Sequence, residues 1–270
     1  LDFAEGEVLI PKGTRMTARH VGLTAAMNVP WLMTYRKPRV AILATGDEIV
    51  MPGEEIGPNQ IVSSNAIALA AFVRAMGAEP VLLGIAPDDR EGLRQIASGI
   101  VGNDILVTTG GASVGDHDLV QEVLSEGGMD VDFWRIAMRP GKPLMFGDIG
   151  GIPVLGLPGN PVSSLVCAMI FLRPALARMQ GAVEADRDTL FLKLADDLPE
   201  NDQRQDYLRA TFETDNNGET VVRSFHRQDS SMMATLTHAD GLIVRPVNAP
   251  ALSAGKRVEV LKMPSGVYRT

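Results

Sequence analysis

Five stretches of this 270-residue chain concentrate the residue types that do chemistry. They are Thr45-Gly46-Asp47-Glu48, Pro87-Asp88-Asp89, Gly110-Gly111-Ala112-Ser113-Val114-Gly115-Asp116-His117-Asp118, Met138-Arg139-Pro140-Gly141-Lys142-Pro143, and Gly156-Leu157-Pro158-Gly159-Asn160-Pro161. Each follows a short apolar run that reads as a β-strand. Open α/β sheets bind ligands in the crevice beyond the carboxyl ends of their strands, so most of these loops are expected to meet in one crevice. Carboxylates, glycine backbone N–H groups and a few cations together suit a phosphorylated ligand with a divalent metal.

Each stretch also has a plainer reading. The Thr45–Glu48 loop sets two acids and a hydroxyl beyond a buried strand, or it is a loop that caps itself. One of Asp88 and Asp89 caps the next helix, which leaves the other for a ligand. Gly110, Gly111 and Gly115 let the backbone approach an anion where a helix begins. Asp118 can there bind a metal or orient a nucleophile, and a plain connecting turn does not need three glycines. His117 lacks a second His at ligand spacing and reads as an exposed loop residue. Arg139 and Lys142, with Arg135 four residues before Arg139, either bind phosphate or an oxyanion or pair with nearby acids at the surface. Pro158 to Pro161 is a rigid turn before a capped helix, and that helix N-terminus is a ready anion site.

The elements that must position these loops alternate. Strand-like runs at 39–44, 80–84, 104–108, 131–137, 143–146 and 152–155 are interleaved with helices. One helix is capped at Ser63-Ser64-Asn65 and stopped by Gly77; others run from Asp88 or Asp89 to about Ile100, from Asp118 to Ser125, and onward from Asn160. This order predicts an α/β fold with a mostly parallel, doubly wound sheet over residues 37–181. Runs at 190–194, 205–212, 220–225, 241–247 and 257–263, with a hairpin signal at Asp215-Asn216-Asn217-Gly218, predict a small separate C-terminal β-barrel domain over 182–270. Residues 1–36 offer two strands (Val8–Ile10 and Trp31–Tyr35) around a helix capped by Thr17. They are too few to bury a core and read as the remnant of an N-terminal domain.

Composition narrows the function. The chain is 45% apolar, which argues against disorder, and its net charge of −8 disfavours nucleic-acid binding. The one cysteine, Cys167, permits no disulfide framework and no cysteine-based zinc site, and reads as a buried inert thiol. That fits a cytoplasmic location. The longest apolar run, 165–172, is too short to span a bilayer, and the start has no signal-like pattern. The chain begins at Leu1, which reads as a fragment or a processed form. The 13 methionines are expected as core filler.

Taken together, the five motifs in their order and spacing resemble the molybdopterin molybdenumtransferase family, the molybdenum insertases, and are similar to the E domain of gephyrin. The resemblance covers the whole chain, and the set is far more specific than any one piece. It implies insertion of molybdate into adenylylated molybdopterin, with release of AMP, to form molybdenum cofactor. By position it implies Glu48, Asp88 and Asp118 as the essential acids and as ligands of Mg²⁺. It implies Thr45, Gly46, Asp47, Gly110, Gly111, Ser113, Gly115 and Lys142 as substrate-binding, with Pro158, Pro161 and Ser163 in the crevice wall. Arg135 and Arg139 stand where the family often has Lys and would attract molybdate or phosphate. The dithiolene sulfurs that hold the metal belong to the ligand, consistent with the lack of cysteine clusters.

Family members carry a longer N-terminal region that helps form a homodimer and lends residues across it. The resemblance further implies contact with the adenylyltransferase and with molybdoenzymes, and no nucleic-acid or membrane partner. Two other functions share part of the pattern. Molybdopterin adenylyltransferases resemble residues 37–181 but usually lack a barrel, and a non-catalytic scaffold is the third reading.

Overall fold

The computed structural model describes residues 2–86, 99–110, 128–182 and 188–264. The helices read at 88–100 and 118–125 lie outside these residues, save for the last positions of the first.

The central sheet contains β1 (Arg39–Thr45), β4 (Glu79–Ala86), β5 (Ile105–Gly110), β6 (Met129–Phe133), β8 (Met145–Ile149) and β9 (Ile152–Leu157), in the order β4-β1-β5-β9-β8-β6. β4, β1, β5 and β9 pair in parallel, and β8 runs antiparallel between β9 and β6. Apolar residues along β1 serve opposite faces in turn, as strand geometry requires. Val40, Ile42 and Ala44 join one core cluster, and Ala41 and Leu43 join another. Covering the first face, α2 (Ser64–Ala75) buries Ala66, Leu69, Ala70 and Val73, one stripe at helical spacing. Gly77, at φ +80°, follows its end.

Between these elements, β2 (Ile49–Val50) and β3 (Ile61–Val62) form a separate two-stranded parallel ribbon. The apolar patterning at these positions was too short to read as strand. Met138–Arg139, β7, leaves the central sheet and pairs with the C-terminal one. The strand expected over 131–137 therefore ends at Phe133, because β6 is an edge strand and the chain beyond it turns toward another partner.

The long helix α3 (Pro161–Met179) contains a π turn at Ala168–Leu172, where the Arg173 N–H reaches the Ala168 carbonyl. Pro174 follows at once. Its missing N–H and its ring oppose a regular turn there, which explains the local widening. The 19-residue helix is long and apolar enough to cross a membrane, unlike the shorter run seen in the sequence. Its apolar residues are accounted for within the fold: Val162, Val166, Leu172 and Leu176 are fully buried in the main core.

At the C-terminus, β10 (Thr189–Leu194), β11 (Gln205–Thr214), β12 (Thr220–Ser224), β13 (Gly241–Arg245) and β14 (Arg257–Lys262) close into a five-stranded barrel, with β12 pairing both β11 and β10. Leu194, Ala210, Val222, Ile243 and Val260 fill it. The barrel does not stand apart from the sheet. Tyr207, Leu236 of the short helix α4 (Met233–Thr237) and Leu242 belong to the same buried cluster as α3.

The N-terminal residues differ from expectation. Thr17 does start α1 (Ala18–Ala26), its N–H accepted by His20 Nδ1 at 3.1 Å. Residues 8–10 and 31–35 form no strand, and among the described residues no strand lies beside them to supply the hydrogen bonds a ladder needs. Trp31 and Met33 are exposed. Arg36 ties this segment down by forking onto Asp104 (2.6 and 2.5 Å), which also accepts the Arg39 N–H at 2.7 Å. The Arg36 hydrogen bond holds the Asp104 carboxyl below its ordinary value of 3.8. A carboxyl depressed in the folded state stabilises the fold above its unfolded pKa and loses that contribution as pH falls through the folded one. The melting temperature of the native chain is therefore expected to fall more steeply below about pH 4 than that of Asp104→Asn, read by thermal melts across pH 2–6.

Candidate active site

Parallel registry brings the strand ends together. Thr45 lies opposite both Ala86 and Gly110, and Thr109 lies opposite Leu157. The loops after β1, β5 and β9 therefore leave from one edge of the sheet, as the motif positions predict.

Gly110 makes the approach possible. Gly110 sits at φ +105°, and a Cβ there would overlap the Thr45 carbonyl oxygen. Gly159 comes close on the other side, where a Cβ would lie 3.5 Å from Gly110 Cα. At the β1 end, Gly46 (φ +137°) donates to the Ala86 carbonyl at 3.4 Å. The Glu48 carboxylate folds back over Gly46, so that a Cβ there would stand 2.7 Å from Oε2. The β2–β3 ribbon fixes this loop from behind, through Ile61 N–H to the Glu48 carbonyl and Ser63 N–H to the Val50 carbonyl, both 2.8 Å. Thr45 is buried, whereas Asp47 and Glu48 are exposed at the rim.

A residue read only as part of a helix cap joins these loops. Asn65 Nδ2 donates to the Gly159 carbonyl at 2.6 Å and to Thr109 Oγ1 at 3.0 Å. Ser63 takes the N-cap position of α2, which frees Asn65 to reach across. Its place directly after the Thr45–Glu48 loop and its ribbon was the available signal.

The Arg139 side chain turns to the barrel. The Arg139 guanidinium pairs with Asp206, with Asp202 at 3.0 Å and with Asn201 Oδ1 at 3.4 Å. Asp206 is almost fully buried, and its hydrogen bond raises the Arg139 pKa. In this conformation the charge of Arg139 is engaged by barrel acids. It joins β7 to β11, the pairing alternative that the segment alone left open. Arg135 and Lys142 are exposed. Gly141, at φ +117°, lets the loop lie on α3: a Cβ would come within 2.5 Å of Cys167 Sγ and 2.6 Å of Met138 Cε. Burial pushes the Cys167 thiol up, so it is the inert packing group expected. Gly141→Ala is expected to cost about 2–3 kcal/mol from overpacking and the left-handed backbone, seen as a melting temperature lower by several degrees.

The N-terminus of α3 offers an anion fewer donors than its sequence suggests. Pro161 has no N–H, and Val162 N–H is taken by the Ser230 carbonyl at 3.1 Å. Asn160 occupies the N-cap position but its side chain caps nothing; Nδ2 donates to Ser230 Oγ at 2.8 Å. The barrel segment around Ser230 is shaped by Arg209, whose buried guanidinium donates to Gln228 Oε1 (3.2 Å) and the Met232 carbonyl (3.2 Å). Pro158 and Ser163 are buried beneath the crevice, and Pro161 is half-buried. Asp88, Gly111, Ser113, Gly115 and Asp118 lie outside the described residues.

A family model described as "Probable molybdopterin binding domain" matches residues 41–178, which include all five motifs. The chain belongs to this molybdopterin-binding family. A second model, "MoeA C-terminal region (domain IV)", matches residues 192–263, the barrel. Among relatives of the molybdopterin-binding chain, a molybdopterin molybdenumtransferase of Nostoc sp. is 34% identical over 97% of this chain and 61% of its own length. One from Haemophilus influenzae is 30% identical over 96% and 64%. The crystal structure of the molybdopterin biosynthesis moea protein from Pyrococcus horikosii superposes with a TM-score of 0.83 at 32% identity, covering 97% of this chain and 63% of that one. The chain thus spans less than two thirds of the length of the curated relatives it matches.

Fitness for Mg²⁺ can be judged from the donors present. Among the described residues no group of three or more His, Cys, Asp or Glu side chains converges. The exposed Glu48 carboxylate at the sheet edge is a hard oxygen donor. That fits an ion which keeps several waters and takes one or two carboxylates plus phosphate oxygens.

Proposed function

We propose that this chain carries the molybdopterin molybdenumtransferase site, inserting molybdate into adenylylated molybdopterin and releasing AMP. The observation that supports it most is the close meeting of Thr45, Gly46, Gly110 and Gly159 at the carboxyl edge of a sheet that belongs to the molybdopterin-binding family. The relatives bearing that enzyme name align with this chain across both the sheet and the barrel.

In this reading the Gly46 and Gly110 turns let the Glu48 carboxylate and the ends of β1 and β5 close up at the edge where the phosphates bind. Glu48, Asp88 and Asp118 orient the attacking oxygen and hold Mg²⁺. Held there, Mg²⁺ would supply the positive charge that offsets what builds up as the phosphoanhydride breaks. A water or molybdate oxygen bonds to the phosphorus of the AMP group as the bridging oxygen leaves with the molybdopterin phosphate, AMP departs, and the dithiolene sulfurs displace an oxygen of molybdate, which leaves as water with the two thiol protons. Asp47, Lys142 and Arg135 line the charged rim. We place the reaction in the cytoplasm and expect a homodimer for the longer protein, with the adenylyltransferase and molybdoenzymes as neighbours in the sequence of reactions.

A molybdopterin adenylyltransferase would use ATP. Incubated with molybdopterin, ATP and Mg²⁺, this chain is expected to leave ATP intact. Formation of pyrophosphate and adenylylated molybdopterin would replace the insertase reading with the adenylyltransferase one.

A further inference from the structure

We infer that Asp206, on the barrel, is a positioning residue for oxyanion binding. Acting through Arg139, it fixes the loop whose cations Arg135 and Lys142 meet the anion. This role rests on the function proposed above, in which both cations line the rim. Strand order puts their loop at the right edge. β8 runs antiparallel to β9, with Met145 opposite Gly156, so it begins where β9 ends. β6 runs antiparallel to β8, with Phe133 opposite Phe146, so it ends there too. The connection 134–144 therefore leaves and re-enters the sheet at the carboxyl edge that holds Gly110.

The loop is closed at its neck and tied down at its tip. At the neck, the Lys142 carbonyl accepts the Ile136 and Leu144 N–H groups, both at 3.1 Å. That contact sets Lys142 beside the residue that follows Arg135. Both cations are exposed, and among the described residues neither forms an ion pair. At the tip, β7 pairs with β11, and the Gln205 N–H donates to the Ala137 carbonyl at 2.9 Å. So short a ladder is weak on its own. The Arg139 guanidinium adds the hold, reaching Asp206, Asp202 and Asn201 together.

Asp206 is the fixed partner. It lies within β11, almost fully buried, with Arg245 opposite it on β13. The Arg245 guanidinium donates elsewhere, to the Pro199 and Pro250 carbonyls at 2.9 and 2.7 Å. Asp206 Oδ2 takes Arg139, and Oδ1, among the described residues, has no hydrogen-bond partner. Burying a carboxylate is costly, and a buried ion pair adds little net stability over apolar side chains. Its consequence here is geometric. Arg139 is committed to the barrel and does not meet the anion, while the loop it anchors presents Arg135 and Lys142.

The test is the molybdate affinity of the whole chain, measured by calorimetry for the native protein, Asp206→Asn, Arg139→Gln and the double variant. Removing a negative charge strengthens anion binding through space, and more so if it frees Arg139 to bind the anion. A positioning role predicts the opposite sign: Asp206→Asn weakens molybdate binding about fivefold or more. Arg139→Gln weakens it alike, and the double variant binds no worse than either single one. Arg139→Gln leaves a buried carboxylate without its partner; should its thermal melt show that it does not fold, the sign in Asp206→Asn decides, since the exposed Arg139 is hydrated when released. Stronger binding in Asp206→Asn would make Arg139 an anion ligand, unchanged binding would leave Asp206 no part in the site, and additive losses in the double variant would show the two residues acting separately. Each of these overturns the assignment while the proposed function stands. A native chain that binds molybdate but releases no AMP from adenylylated molybdopterin would overturn the proposed function, and the affinities would still decide the role of Asp206. No molybdate binding by the native chain would overturn the assignment itself.

Discussion

Replacing Gly110 with Ala is expected to lower the melting temperature by about 10 °C. The methyl group would overlap the Thr45 carbonyl oxygen, and the backbone there is held at φ +105°. Overpacking costs about 1–3 kcal/mol and a side chain in a sparsely populated backbone region about 1–3 kcal/mol more. A total near 4 kcal/mol corresponds to about 10 °C for a chain of this size. Unlike the methionine and thiol that face Gly141, the obstacle is main chain on a buried strand, which cannot swing aside. Gly53 provides the control: it has a similar φ of +95° but nothing within 4 Å of a built Cβ. Gly53→Ala should show the backbone term alone, a loss of a few degrees. Equal melting temperatures for the two variants would show that the strand ends do not meet as described.

The second large effect concerns catalysis. Glu48→Gln is expected to reduce turnover by about 10² or more, because it removes a carboxylate without changing size. Glu48 is exposed and its loop is pinned by backbone bonds through Ile61 and Ser63. The folded state should therefore be unaffected, and the variant's melting curve should overlay the native one. Full turnover in the variant would remove Glu48 from the site.

Local chemistry made the sheet legible. The buried run 40–45, the Ser63–Gly77 helix and the barrel strands all follow from periodicity and end signals, and Asp215-Asn216-Asn217-Gly218 forms the expected turn, with Gly218 at φ +80°. Loop convergence at the carboxyl edge follows from parallel order alone. Long-range partnerships were not legible. Arg139 meets Asp206 across 67 positions, and Asn65 meets Gly159 across 94. No local pattern carries such pairings, so Arg139 read equally as an anion ligand and Asn65 as part of a cap. The unformed strand at 31–35 fails for a related reason. Its composition suits a strand, but a strand exists only where a neighbour offers its main chain.

The Ser230 contact shows the same principle at the domain joint. From sequence, Asn160-Pro161 opens a helix whose N-terminus is free for an anion. In the fold, the barrel uses that end to dock, through the Ser230 carbonyl and hydroxyl. With the Arg139–Asp206 pair, this couples the barrel to the Arg139 loop and to the start of α3.

The most direct measurement is AMP release from adenylylated molybdopterin by this chain with Mg²⁺, followed by chromatography, with and without molybdate. The account predicts release that requires molybdate and falls about 10² or more in Glu48→Gln. AMP release indifferent to molybdate, or none at all from a folded chain, would contradict it.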